Sequence, residues 1–171
     1  MKNTEKYIGL VCQNEPLFQE LFNRIVLNVI GQKEPYKYRL ITFDSTRKIK
    51  YDYILFVESY PFFEINKLRY YIYNNECILI LNNDLGEEQA FKQSTQIISY
   101  SFDSHADYKI NNINVNNYII LFDLEYNGSV NPMYFCTKNE DELNYLISII
   151  IFLICENYNF NVIKNIVQKI K

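Results

Sequence analysis

Apolar residues follow two rhythms along the first half of this chain. Tyr7-Ile-Gly-Leu-Val-Cys12 is an unbroken apolar run, the pattern of a strand covered on both faces. Asn14 then offers an N-cap, Pro16 suits a first helical turn, and Leu17, Leu21, Phe22, Ile25 and Val29 recur at helical spacing until Gly31 stops them. Arg39 to Phe43 and Asp52 to Val57 predict two more strands, the second central, with Lys48-Ile49-Lys50 as a polar connection or short edge between them. Beyond Pro61, Ile65, Leu68 and Ile72 give one apolar face to a helix over Glu64 to Tyr73, and Cys77 to Leu81 is again β-prone throughout. Strand and helix alternate, which predicts an α/β fold with a mainly parallel sheet and crossover helices.

The second half reads differently. Gln96 to Phe102, Tyr108 to Val115 and Tyr118 to Tyr126 follow one another across short polar links, and Ile120, Phe122 and Leu124 alternate with Asp123 and Glu125. Asn127-Gly128 is a hairpin dipeptide, and Val130 to Cys136 returns antiparallel with Pro132 on an edge. Antiparallel strands therefore extend the sheet. Asn139 followed by Glu142 is a capping-box variant ahead of a long apolar helix through Cys155, and a short helix over Val162 to Ile170 follows. No linker, repeat or charge block divides residues 1–171, so one domain is expected.

Charge narrows the partners. With 17 basic and 20 acidic side chains the formal charge is −3, leaving no net positive field for a nucleic acid backbone. The run from Leu146 to Cys155 is too short to span a bilayer, so a core helix without membrane insertion is expected. The start is polar and leads directly into a strand-like run, which predicts a cytoplasmic protein. Cys12, Cys77, Cys136 and Cys155 are widely spaced with no C-x-x-C pair, the pattern of reduced core residues and not of a metal site. His105 is the only histidine; flanked by Asp103 and Asp107 in a turn, it reads as a solvated loop residue. Glu140-Asp-Glu142 fits the first turn of a helix better than a cation site. Tyr60, Phe62, Phe63, Tyr70, Tyr71 and Tyr73 form an aromatic cluster, suited either to a protein contact or simply to filling space.

The stretch Ile97-Ile-Ser-Tyr-Ser-Phe-Asp-Ser-His-Ala-Asp-Tyr-Lys-Ile-Asn-Asn-Ile113, followed by Ile120-Leu-Phe-Asp-Leu-Glu-Tyr-Asn-Gly128, resembles the end of the central ATP-binding domain of Mur ligases, which join amino acids to UDP-muramoyl precursors of peptidoglycan. Ala106, Asp107, Asn112 and Ile113 fall in register with the family pattern there. Leu81-Asn-Asn-Asp84 looks like the family's L-N-x-D-D, with Leu85 in place of the second aspartate, and Leu143-Asn144 resembles the start of its H-N-x-x-N-A helix. The resemblance runs in order from Tyr7 to about Lys169 and implies a P-loop-like sheet, with Asn82 and Asp84 near the nucleotide base as remnants able to keep a weak adenine contact.

The same resemblance marks what has changed. Where Mur ligases carry the P-loop I-G-V-T-G-T-N-G-K-T-T, this chain has Ile8-Gly-Leu-Val-Cys-Gln-Asn-Glu-Pro-Leu-Phe18. Glu15 stands at the last glycine, Pro16 at the lysine, and Leu17 and Phe18 at the hydroxyl positions. A carboxylate repels phosphate, proline removes an N–H where the cation belongs, and leucine ligates no metal. The family's T-N-I-x-x-D-H is matched by Val57-Glu-Ser-Tyr-Pro-Phe-Phe63, with Phe62 and Phe63 at the Asp and His. The resemblance so qualified implies a pseudoenzyme of bacterial type, without catalytic residues, metal or cofactor. It would bind a protein partner, a cell-wall enzyme or a second copy of itself, in peptidoglycan synthesis. Two other readings stay open: a nucleotide-binding protein contacting adenine through Asn82 and Asp84, and a subunit of a split ATP-dependent ligase.

Overall fold

The computed structural model describes residues 5–31, 37–87, 91, 96–103 and 105–170. Strands β1 (Lys6–Val11), β2 (Tyr38–Thr42), β3 (Tyr53–Phe56) and β4 (Ile78–Asn82) are joined through helices α1 (Glu15–Ile30) and α2 (Ile65–Asn74); β5 (Ile97–Ser101), β6 (Tyr108–Asn116), β7 (Ile119–Tyr126) and β8 (Ser129–Cys136) lead to α3 (Glu142–Cys155) and α4 (Phe160–Val167). The eight strands make one sheet in the order β2-β1-β3-β4-β5-β6-β7-β8. Pairing is parallel from β2 through β6 and antiparallel for β6–β7 and β7–β8. The predicted architecture, a mainly parallel α/β sheet extended by antiparallel strands, is the one observed.

Local chemistry explains the elements. The Asn14 side chain accepts the Leu17 N–H at 3.2 Å, Pro16 sits in the first turn of α1, and Gly31 ends the helix at φ 77°. In β3 every residue is buried: Tyr53 and Leu55 face α1, α3 and α4, while Ile54 and Phe56 face α2. Helix α3 is apolar nearly all round because the sheet, α1 and α4 enclose it, and no helix among the described residues is long and apolar enough to cross a membrane.

Two details differ from expectation. The links around β5 and β6 look like hairpin links, yet these strands run parallel. Only Tyr100↔Tyr108 and Ser101↔Lys109 pair, so the chain steps back two residues and needs no helical crossover. Asp107 secures the step by accepting the Ser99 N–H at 2.8 Å and the Ser99 hydroxyl at 3.0 Å. The Asn139–Glu142 capping box does not form. Asn139 Oδ1 accepts the Asp141 N–H and its carbonyl accepts the Glu142 N–H, which makes a separate turn before α3. Asn117 and Tyr118, at φ 44° and 70°, turn β6 into β7 just as Asn127 and Gly128, at 50° and 72°, turn β7 into β8.

Candidate functional site

Strand order reverses between β1 and β3, and the crevice beyond their C-terminal ends is where doubly wound sheets hold ligands. Here it is crossed by the protein's own bonds. Only Cys12, Gln13 and Asn14 separate β1 from α1. The Gln13 N–H donates to Glu58 Oε2 at 3.1 Å, and the Gln13 side-chain amide donates to the Ser59 carbonyl at 2.8 Å. The Tyr145 hydroxyl, from α3, donates to the same Glu58 oxygen at 2.9 Å. A carboxylate thus takes the loop N–H that an external anion would seek. Glu15, in the first turn of α1, accepts the Thr42 hydroxyl and puts a second negative charge beside it. Both charges act on Cys12: burial first, then Glu58 and Glu15, push its thiol up to about 12.

Pro16 and Phe18, which the resemblance sets against a lysine and a hydroxyl residue, differ in their surroundings. Pro16 is exposed and carries no N–H, whereas Phe18 is fully buried with its ring 5.4 Å from that of Tyr145 and 6.3 Å from that of Phe22. Gly9 makes room for a neighbour, since a Cβ there would lie 3.0 Å from the ring of Tyr51.

Beside this turn, at the ends of β3, β4 and β5, lies a closed amide network. The Val57 carbonyl accepts from Asn82 Nδ2 at 3.1 Å and from Asn144 Nδ2 at 3.2 Å, and the Tyr100 hydroxyl donates to Asn144 Oδ1 at 2.6 Å. Asn82, 6% exposed, uses its oxygen to accept the Asp84 N–H. Asp84 accepts from the Ser101 hydroxyl and from the Phe102 N–H at 2.7 Å. The two predicted adenine contacts therefore stand next to each other with their polar atoms engaged inside the protein.

Glu58 and Tyr145 were not singled out by residue pattern. A carboxylate one residue past a central strand was the available signal, but its partners lie 45 and 87 positions away. His105 is exposed, and its carbonyl accepts from Asn83 Nδ2 at 2.9 Å. All four cysteines are free, two of them buried, and no group of three or more His, Cys, Asp or Glu among the described residues is placed to hold a metal. The aromatic cluster divides: Phe62 is 100% exposed and Tyr70 and Tyr73 are 73% exposed, while Tyr71 is buried with its hydroxyl between Tyr51 N and the Ile49 carbonyl.

A parallel α/β sheet with its crevice at the strand-order reversal, carried onward by antiparallel strands, is a Mur ligase-like fold. Among solved structures, MurF from Acinetobacter baumannii superposes with TM-score 0.71 at 10% identity over 98% of this chain and 46% of its own. The MurF ligase from Thermotoga maritima, in complex with ADP, gives 0.70 at 9% over 98% and 49%, and a pseudomurein peptide ligase type C from Methanothermus fervidus gives 0.68 at 9% over 100% and 50%. The chain spans about half the length of these ligases, and at such identities the likeness is one of fold. No family model and no curated protein matches the sequence.

Proposed function

We propose that this chain is a catalytically inactive Mur ligase-like domain that serves as a protein-binding or regulatory module in cell-wall (peptidoglycan) synthesis. The link to peptidoglycan comes from the names of the ligases that share the fold. One observation carries the loss of activity: the Glu58 carboxylate occupies the N–H of the turn after β1. Phosphoryl transfer depends on positioning and charge, and a triphosphate entering this turn would meet Glu58 and Glu15 with neither a lysine nor a hydroxyl at the matching places. Phe18 cannot leave the core to admit a metal without opening a cavity against Tyr145 and Phe22.

The test is phosphate release from ATP and Mg²⁺ by the purified protein. None above the uncatalysed background is expected, and sustained turnover that follows the purified protein through successive columns overturns the proposal. Calorimetry with ATP and Mg²⁺ separates the nucleotide-binding reading: micromolar binding lost on Asn82→Ala would favour it, and silence at millimolar ligand removes it. Co-purification from the native cell addresses the module itself, and a chain that repeatedly returns alone counts against a partner.

A further inference from the structure

The chain carries net negative charge, yet one groove in it is lined by four cations and two carboxylates. It lies on the α2 side of β1 and β2, has a volume of about 710 Å³, and is bordered by Arg39, Arg47, Lys48 and Lys50 on one hand and Glu5 and Asp52 on the other. The carboxylates are partly spent: Asp52 accepts the Tyr7 N–H at 2.8 Å, and Glu5 stands 4.0 Å from Arg39. Arg47 meets Asp44 at 3.2 Å, but the Lys48 and Lys50 side chains form no hydrogen bond or ion pair with the described residues. Beneath the charges the floor is apolar, made by half-buried Tyr7, Ile41 and Ile49.

The groove runs beside an open sheet edge. Strand β2 pairs only with β1 among the described residues. Because the Phe43 N–H donates inward to the Leu10 carbonyl and the Lys37 carbonyl accepts the Lys6 N–H, the alternate peptide groups of Tyr38, Leu40 and Thr42 point outward. Arg39 and Ile41, by the same alternation, face the groove.

We propose that this edge and groove take an extended acidic segment of a partner protein, added as a strand outside β2 with its alternate carboxylates facing Arg39, Lys48 and Lys50. Backbone pairing supplies affinity and the cations supply the choice of sequence, the division of labour of strand addition. A phosphate backbone fits less well, since the molecule as a whole is acidic, with formal charge −3. The inference deepens the reading of the chain as a protein-binding module and rests on it for the class of partner.

The experiment is an array of peptides about ten residues long, with Glu at every second position and varied apolar residues between, binding the full chain. The best member is followed by fluorescence anisotropy beside its Gln-for-Glu counterpart. Expected are about tenfold weaker binding of the Gln peptide, about tenfold loss in a Lys48→Glu/Lys50→Glu variant of unchanged melting temperature, and slowed amide exchange at Leu40 and Thr42. No binding at millimolar peptide overturns the proposal, as do equal binding of the Gln peptide and unprotected Leu40 and Thr42. Single-stranded DNA that binds as tightly and is equally lost in the variant would assign the groove to a phosphate backbone and overturn it too. A co-purified partner unaffected by the charge reversal would leave the module reading standing while removing this site.

Discussion

Replacing Glu156 with Gln should lower the melting temperature by about 4–8 °C at neutral pH, and the gap should close in acid. The side chain of Glu156, 5% exposed, ends α3 beneath the start of β1, β2 and β3 and accepts from Lys6 Nζ, Tyr38 OH and Tyr53 OH, each at 2.6 Å. Burial would raise its pKa, but these three donors outweigh it and hold the carboxyl below its ordinary 4.5. Tyr38 and Tyr53 are pushed up, by burial first and then by donating to the carboxylate. Glutamine keeps the size but offers one oxygen to three donors and turns an N–H₂ toward the others. A hydrogen bond to a charged group contributes about 1.5–3 kcal/mol and a neutral one about 0.5–1.5, so exchanging the charge costs about 1 kcal/mol per donor and about 3 kcal/mol in all. Two effects trim this figure to about 2 kcal/mol: Lys6 is 37% exposed and stays hydrated, and the helix C-terminus favours loss of a negative charge by about 0.3–1 kcal/mol.

At 171 residues each kcal/mol moves the midpoint by about 2–4 °C, which gives the range stated. The sign with pH follows from the direction of the shift. A carboxyl held below its unfolded value contributes fully above that value and loses the contribution as pH falls through the folded one. Glutamine does not titrate, so thermal melts followed by circular dichroism should show wild type approaching the variant as pH drops below the ordinary 4.5. A shift under about 2 °C at neutral pH, or a gap that stays constant into acid, would refute the network as a source of stability.

Phe62 is the third residue of a turn closed by the Phe63 N–H on the Tyr60 carbonyl at 3.0 Å, and it holds φ 70° with a fully exposed ring. Phe62→Gly should relieve about 1–2 kcal/mol of left-handed strain against about 0.5–1 of added unfolded-state freedom, raising the urea midpoint with m unchanged; a fall would contradict the strain argument. Gly9→Ala places its Cβ against Tyr51, which is packed between Phe43 and Tyr71, and should cost about 1–2 kcal/mol by chemical denaturation. Pro16→Lys alone should leave calorimetry with ATP silent, since Glu58 keeps the Gln13 N–H, whereas adding Glu58→Gln should admit weak, about millimolar, anion binding; binding by the single variant would show that the carboxylate is no obstacle. Burial pushes the Cys12 thiol up to about 12 and those of Cys77 and Cys155 to about 11, so these three should resist alkylation at pH 8 until the protein is unfolded.

Much of the scaffold is readable from residue order because its causes are local. Asn14, Pro16 and Gly31 bracket α1, and the period of its apolar residues gives the buried face. Asn127-Gly128 has the backbone freedom a two-residue hairpin needs. The direction of β5 and β6 escapes such reading. It depends on an overlap of two residues and on Asp107 reaching back to Ser99, neither of which leaves a periodic trace. At the site, substitution is legible and replacement is not: Pro16 announces a missing cation, but nothing near Glu58 announces that it meets a turn 45 residues earlier and a helix 87 residues later.

On the proposed function, that asymmetry bears on how the fold would persist without a nucleotide. Parallel strands leave backbone groups converging at the crevice between β1 and β3, and those groups must be satisfied by something. An anion at this place serves the N–H groups when bound and leaves them to water otherwise. Glu58 serves the Gln13 N–H permanently, and the paired amides of Asn82 and Asn144 serve the Val57 carbonyl in the same way. Each bond links separate elements, β3 to the β1–α1 turn and β4 to α3, so the interior gains cross-ties where a nucleotide site would need room to open. On that reading, gaining a phosphate site would require more than a lysine. The internal partners would have to be given up first, at about 1–3 kcal/mol for a buried group such as Asn82 left unpaired and less for the exposed Gln13 N–H, before a phosphate could begin to compete. On the proposed function this exchange of an external ligand for internal ones leaves a stable platform on which the β2 edge and its basic groove serve a partner.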